Sequence, residues 1–233
     1  MSCLATRFLD AGESCLVVEL GDRIDLTVNW RVRALALAVE QAGLAGIREA
    51  VPTYRSLAIY YDPLKIERDA LAERIGALLD SAPEVREQES RIVEVPTTYG
   101  SDQGPDLAFV AQHAGLSEQE VVRLHTEPLY DVYMLGFTAG FAYLGGLPER
   151  LGVPRLPTPR LRVPAGSVGI GGTQTGIYPV ESPGGWRIIG QTRLSLFDAS
   201  RQPPASLLPG DRVRFIAIGE EGSLSHIGTV RSD

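Results

Sequence analysis

Gly136 to Pro148 reads GFTAGFAYLGGLP, and Arg155 to Thr192 reads RLPTPRLRVPAGSVGIGGTQTGIYPVESPGGWRIIGQT. Between Gly136 and Gly190 fall 13 of the 25 glycines and 7 of the 16 prolines of this 233-residue chain. Glycine permits positive φ and close backbone approach, while proline fixes φ and removes a donor. Such crowding therefore specifies loop shapes rather than a packed core. Shaped loops on a rigid scaffold are where binding sites usually sit. Phe137, Phe141, Tyr143, Gln174, Thr175, Tyr178, Glu181, Ser182, Trp186 and Arg187 are interleaved with them, and these are groups that stack, donate and accept.

Outward from this segment, short strands and turns from Tyr130 onward predict a β-barrel that ends with Asp211 to Ile218 (DRVRFIAI). Before it, Arg91 to Thr97 alternates as a strand and Asp106 to His113 predicts a short helix ending at Gly115. Ser117 followed by Glu120 forms a capping box for a helix running to about His125. Residues Asp80 to Ser90 are polar with no apolar period, and the domain boundary is placed there, dividing the chain into residues 1–86 and 87–233. In the first domain, Arg7 to Leu20 predicts two strands around Gly12. Asp25 is the N-cap of a helix whose stripe is Val28, Val32, Leu35, Leu37, Val39 and Leu44. Strands over Ile47 to Thr53 and Leu57 to Asp62 follow, and a second helix from Ile66 to Leu79 buries Leu71, Ile75 and Leu78. The fold class is α+β: a small sandwich of helices on an antiparallel sheet, followed by a barrel.

Composition narrows the function. A hydrophobic fraction of 44% supplies a core, and a net charge of −7 argues against nucleic acid. A local anion site is still compatible with that total, because local fields govern small ligands. Lys65 is the only lysine, so the second half contains none. Cys3 and Cys15 lack any paired spacing, so neither a disulfide framework nor a metal site is expected. The N-terminus lacks a leader pattern and no segment is long enough to cross a bilayer, which predicts a cytoplasmic protein.

The candidate chemistry lies in the loops. GIGGTQTG (Gly169 to Gly176) lacks the lysine of one phosphate loop and the following helix of another, so tight turns between strands are the stronger reading. Gln174, Thr175, Tyr178, Glu181 and Ser182 together suit a small polar ligand, and they equally suit turn hydrogen bonds and packing. Arg155, Arg160 and Arg162 form a basic stretch whose forks suit carboxylate or phosphate, or a solvated loop. His125, near Glu127 at a helix end, is a candidate acid or base; a cation favoured by the helix terminus is the alternative. No GxSxG elbow is present, and neither cysteine lies in this region, so a covalent nucleophile has no support.

The quoted motifs resemble the family of KipI and the 5-oxoprolinase B subunits, also called the allophanate hydrolase subunit 1 domain. Its pattern runs GFxPGFxYLxGL, then TPRxxVPAGSVxIxGxQTGIYPxxSPGGWxxIG, and the resemblance extends over nearly the whole chain. The family usually carries proline where this chain has Ala139, which gives that backbone more freedom. The resemblance implies a cyclophilin-like barrel and one component of an ATP-dependent enzyme that opens 5-oxo-L-proline to L-glutamate. It implies partners too, a C component of the allophanate hydrolase subunit 2 type and a separate A component, with ATP shared between them. By their side-chain chemistry, rather than by the resemblance, Gln174, Thr175 and Tyr178 are expected to orient substrate, Arg160 and Arg162 to hold phosphate or carboxylate, and Glu181 and His125 to support acid and base chemistry. Phe137, Phe141, Tyr143 and Trp186 are expected as a wall or partner interface. The same family contains an inhibitor of a sensor histidine kinase, so a regulatory binding protein is the alternative. Prolyl isomerase activity rests on fold analogy alone.

Overall fold

The computed structural model describes residues 6–81 and 90–219. The chain divides into two compact units, residues 1–90 and 91–233.

The first unit is a four-stranded antiparallel sheet with two helices. Its strands are β1 (Arg7–Asp10), β2 (Cys15–Glu19), β3 (Ile47–Pro52) and β4 (Ser56–Tyr61), in the order β1-β2-β4-β3. In β2 and β4 alternate residues point inward, so Leu16 faces Ile59 and Val18 faces Leu57 across the ladder, all four fully buried. Helix α1 (Leu26–Ala42) is capped as expected, with Asp25 Oδ1 accepting from the amides of Thr27 and Val28, and ends at Gly43 in the left-handed conformation. It buries Val32, Leu35 and Val39. Leu37, expected in that stripe, is instead exposed, because five residues beyond Val32 places it well off the buried face. Helix α2 (Arg68–Ser81) buries Leu71 and Ile75, with Leu78 half-buried beside them. It begins two residues later than expected, since Ile66 belongs to the turn in which its amide bonds back to Asp62. Most of the polar stretch after Ser81, residues 82–89, lies outside the described residues.

The second unit contains the expected barrel, and it is closed. Strands β5 (Ile92–Tyr99), β6 (Tyr130–Leu135), β7 (Ala142–Gly145), β9 (Ser167–Gly171), β10 (Gln174–Ile177), β12 (Arg187–Gln191) and β13 (Arg212–Ala217) run in the order β10-β7-β6-β13-β5-β12-β9, with β9 closing on β10. Every pairing is antiparallel except β5 with β13, which is parallel over six residue pairs. Val95, Val132, Leu144, Ile170, Ile177, Val213 and Phe215 belong to its buried core. Helices α3 (Leu107–Ala114) and α4 (Glu118–Thr126) add Leu107, Val110 and Val121 to that core. The capping box of α4 is formed: Ser117 Oγ accepts from the Glu120 amide, and the Glu120 carboxylate accepts from the Ser117 amide at 2.8 Å. Strands β8 (Arg160–Val163) and β11 (Ser182–Gly184) pair with each other as a separate ribbon. Among the described residues no helix is long and apolar enough to cross a membrane.

Candidate functional site

A second buried cluster, separate from the barrel core, joins Phe141, Val163, Tyr178, Trp186 and Ile188, with Tyr143 packed against it. Its rings meet edge to face. Phe141 lies 4.9 Å from Tyr143, 5.4 Å from Tyr178 and 5.6 Å from Trp186 between ring centroids, each a favourable aromatic geometry. Backbone makes room for the indole. A Cβ at Gly171 would stand 2.5 Å from Trp186 Nε1, and one at Gly176 would stand 3.1 Å from its ring. Glycines that read as turn formers are thus strand residues of β9 and β10 whose missing side chains leave a seat for Trp186. Gly172, with φ of 63°, is the one that serves the turn between those strands.

The loop from Gly136 to Gly140 folds over this cluster. Phe137 has φ of 63°, a left-handed conformation uncommon for an aromatic residue, and is 59% exposed while its ring meets Phe141 and Tyr178 edge on. Backbone bonds from the Thr138 amide to Gly136 and from the Phe141 amide to Thr138 hold the turn, and Ala139 is exposed at its tip. Between this loop and the β8–β11 ribbon lies a cleft of about 330 Å³. Phe137, Phe141, Tyr143, Tyr178 and Trp186 line it, with Arg155 as its one charged group among the described residues. The expected aromatic wall residues therefore converge on one cavity, and Tyr178 joins them.

Burial pushes the Tyr178 phenol above its ordinary pKa. The Trp186 backbone amide, directed at its oxygen, and the Arg155 charge pull the other way. The hydroxyl accordingly stays neutral and retains its proton. Gln174 is half-buried at the start of β10.

Arg160, Arg162, Arg187 and Glu181 are already engaged. Arg160 donates bidentately to Asp106 at 2.8 and 3.0 Å, and the same buried carboxylate accepts from the Ile188 amide at 2.7 Å. Arg187 approaches it to 3.8 Å and stacks 3.6 Å over Phe109. Asp106 stands at the N-cap of α3, but its side chain makes no cap bond because it is committed to partners on β8 and β12. A residue 54 positions from its arginine carries no local signal of that role. Arg162 forms a bidentate pair with Glu181, both oxygens at 3.0 Å, on an exposed surface. Neither Arg160, Arg162 nor Glu181 lines the cleft.

His125 and Thr175 are brought together, but inside the barrel core. His125 is fully buried, with its ring 4.5 Å from that of Phe215. Thr175 donates its only hydroxyl proton to the Gly169 carbonyl at 3.0 Å, so its oxygen accepts from His125 Nε2–H at 2.9 Å. Nδ1 then accepts from the Tyr99 hydroxyl at 2.8 Å. With both ring nitrogens engaged and burial holding its pKa down to about 3, His125 is a neutral structural bridge. An acid or base role for His125, and a ligand contact for the Thr175 hydroxyl, do not fit this enclosure.

A family model for the carboxyltransferase domain, subdomain C and D, matches residues 6–207. The B subunit of 5-oxoprolinase from Escherichia coli O157:H7 is 47% identical over 206 residues, which cover 88% of this chain and 93% of that protein. Among solved structures, TTHA0988 matches with a TM-score of 0.79 at 41% identity, covering 90% of this chain but 41% of that longer one. The K. lactis urea amidolyase matches with a TM-score of 0.76 at 25% identity, over 93% of this chain and 15% of its own.

Proposed function

This chain belongs to the family of the carboxyltransferase domain, subdomain C and D, alongside the 5-oxoprolinase B subunits, and we propose that it is the B subunit of an ATP-dependent 5-oxoprolinase. The observation that carries this reading is the 47% identity to such a protein, matched over 93% of its length. The reading includes two partners, a C component of the allophanate hydrolase subunit 2 type and an A component. Support for such assembly comes from relatives in which the same two units form 15% to 41% of a larger polypeptide.

Within that complex the aromatic cleft is this chain's share of a composite site. Opening a lactam is resisted by amide resonance, and ATP supplies the driving force for the reaction. The residues of this chain do not fit a triphosphate. The glycine-rich strands spend their amides on the β9–β10 and β9–β12 ladders and their open faces on Trp186. The cleft itself carries one guanidinium. The nucleotide phosphates are therefore assigned to a partner. What this chain contributes is exclusion of water by five rings, orientation through the neutral Tyr178 hydroxyl, and one positive charge.

The test is reconstitution. ADP and glutamate are measured for this chain, for the A and C components, and for all three together, each with and without 5-oxoproline. Coupled release of both products only in the complete mixture is expected; a complete mixture with no substrate-dependent ADP release overturns the assignment.

A further inference from the structure

Four arginines lie between Arg155 and Arg187, and the structure distinguishes them by their partners. Arg160 is held by Asp106, Arg187 lies against the same carboxylate and Phe109, and Arg162 is held by Glu181. Arg155 meets no carboxylate among the described residues. Its guanidinium instead lies 5.8 Å from the centre of the Trp186 ring, within reach of a cation–π contact, on the wall of the cleft. Among the described residues, no acidic side chain lines that cleft.

A cation with no counter-charge beside low-dielectric ring walls favours an anion more strongly than one in open water. Its fork presents two parallel N–H donors, the pattern that a carboxylate accepts in full. A phosphate would want further charged donors, and among the described residues the cleft has none besides Arg155. Of the lining rings, Phe137 is exposed and Tyr143 partly so, which offers a small ring an apolar surface beside Arg155.

We propose that Arg155 is the residue that recognises the ligand's carboxylate, making the cleft selective for a small flat ring bearing one carboxylate over the same ring without it. This rests on the oxoprolinase reading for the identity of the ring, which would be the lactam of 5-oxoproline. Arg155 acts there as a specificity residue and takes no part in bond breaking.

The experiment measures binding by calorimetry to the mixture of this chain with its A and C components, against those two components alone. The probes are 5-oxoproline, 2-pyrrolidinone, which lacks the carboxylate, and inorganic phosphate. Charge-assisted bidentate bonds predict that the wild type prefers 5-oxoproline over 2-pyrrolidinone by at least about tenfold. Arg155→Gln should erase that preference, and Arg155→Lys should keep part of it, as a charge without the fork. Because Arg155 is exposed, both variants should unfold at the wild-type midpoint. A wild type without preference, a preference that survives Arg155→Gln, or phosphate bound more tightly than 5-oxoproline overturns the inference. Glutamate release, followed in the same samples, separates the two ideas. Turnover with an Arg155-independent preference removes Arg155 and leaves the enzyme reading. An Arg155-dependent preference without turnover leaves a carboxylate site and removes the enzyme.

Discussion

Trp186 rests against Gly171, so closely that a single methyl group there would stand 2.5 Å from the indole nitrogen. The side wall of the cleft is thus seated on bare backbone. Gly171→Ala should cost about 1 to 3 kcal/mol as overpacking, or push the indole out of its seat. In a Trp30→Phe background Trp186 is the sole tryptophan emitter, and a red-shifted emission maximum reports its displacement. Unchanged emission together with unchanged stability would mean that the ring is not held there.

Asp106 joins β8 and β12 to the start of α3 through one carboxylate. Removing it leaves Arg160 and the Ile188 amide without their partner. Since Arg160 is about one-third exposed, Asp106→Ala should cost about 2 to 3 kcal/mol, below the value for a fully enclosed pair. Arg162→Ala breaks an exposed pair and should leave the denaturation midpoint where it was. Urea titrations of the two variants test the contrast, and equal effects would contradict it.

His125 gives the fold a pH dependence. Its folded pKa of about 3 lies below the ordinary value of 6.5, so the unfolded chain takes up the proton first as pH falls. The stability it contributes is complete above pH 6.5 and drains away towards pH 3, at up to about 1.4 kcal/mol per pH unit. Its imidazole nitrogen signals should show one neutral tautomer, protonated at Nε2, that persists at a pH of about 4.5, between those two values. Protonation of that ring near its ordinary pKa in the folded protein would refute the enclosure.

Phe137 trades local comfort for exposure. Glycine adopts its φ of 63° without steric cost but removes the ring contacts with Phe141 and Tyr178, two effects of about 1 kcal/mol with opposite sign. Phe137→Gly should therefore change stability by less than about 1 kcal/mol while lowering glutamate release by the reconstituted complex. Full activity in that variant would show that the ring serves neither ligand nor partner.

The barrel was legible from its short strands broken by glycine and proline, although Gly171 and Gly176 lie in strands rather than turns, and the helices because Asp25 and the Ser117–Glu120 box are local signals. The aromatic wall was legible for the same reason: Phe137, Phe141, Tyr143 and Trp186 sit inside motifs. Partners were not. Which arginine pairs with which acid depends on strands that meet only in the closed barrel, so Arg160 and Arg162 read as ligand-binding groups, and Arg155 did not stand out. His125 and Thr175 lie 50 residues apart and share one hydrogen bond in the interior, a contact that residue type and local spacing cannot announce.

The parallel pairing of β5 with β13 sets an order of assembly during synthesis. Residues Ile92 to Ala217 span nearly the whole second unit, yet β5 has six partners on β13 and two on β12. While a ribosome still holds Arg212–Ala217, β5 keeps one edge bare and the barrel stays open like an unbuttoned sleeve. Closing so long a loop is slow relative to hairpin formation. The nascent chain therefore exposes Val93 and Val95 along that edge until β13 emerges, the interval in which a chaperone has most to shield.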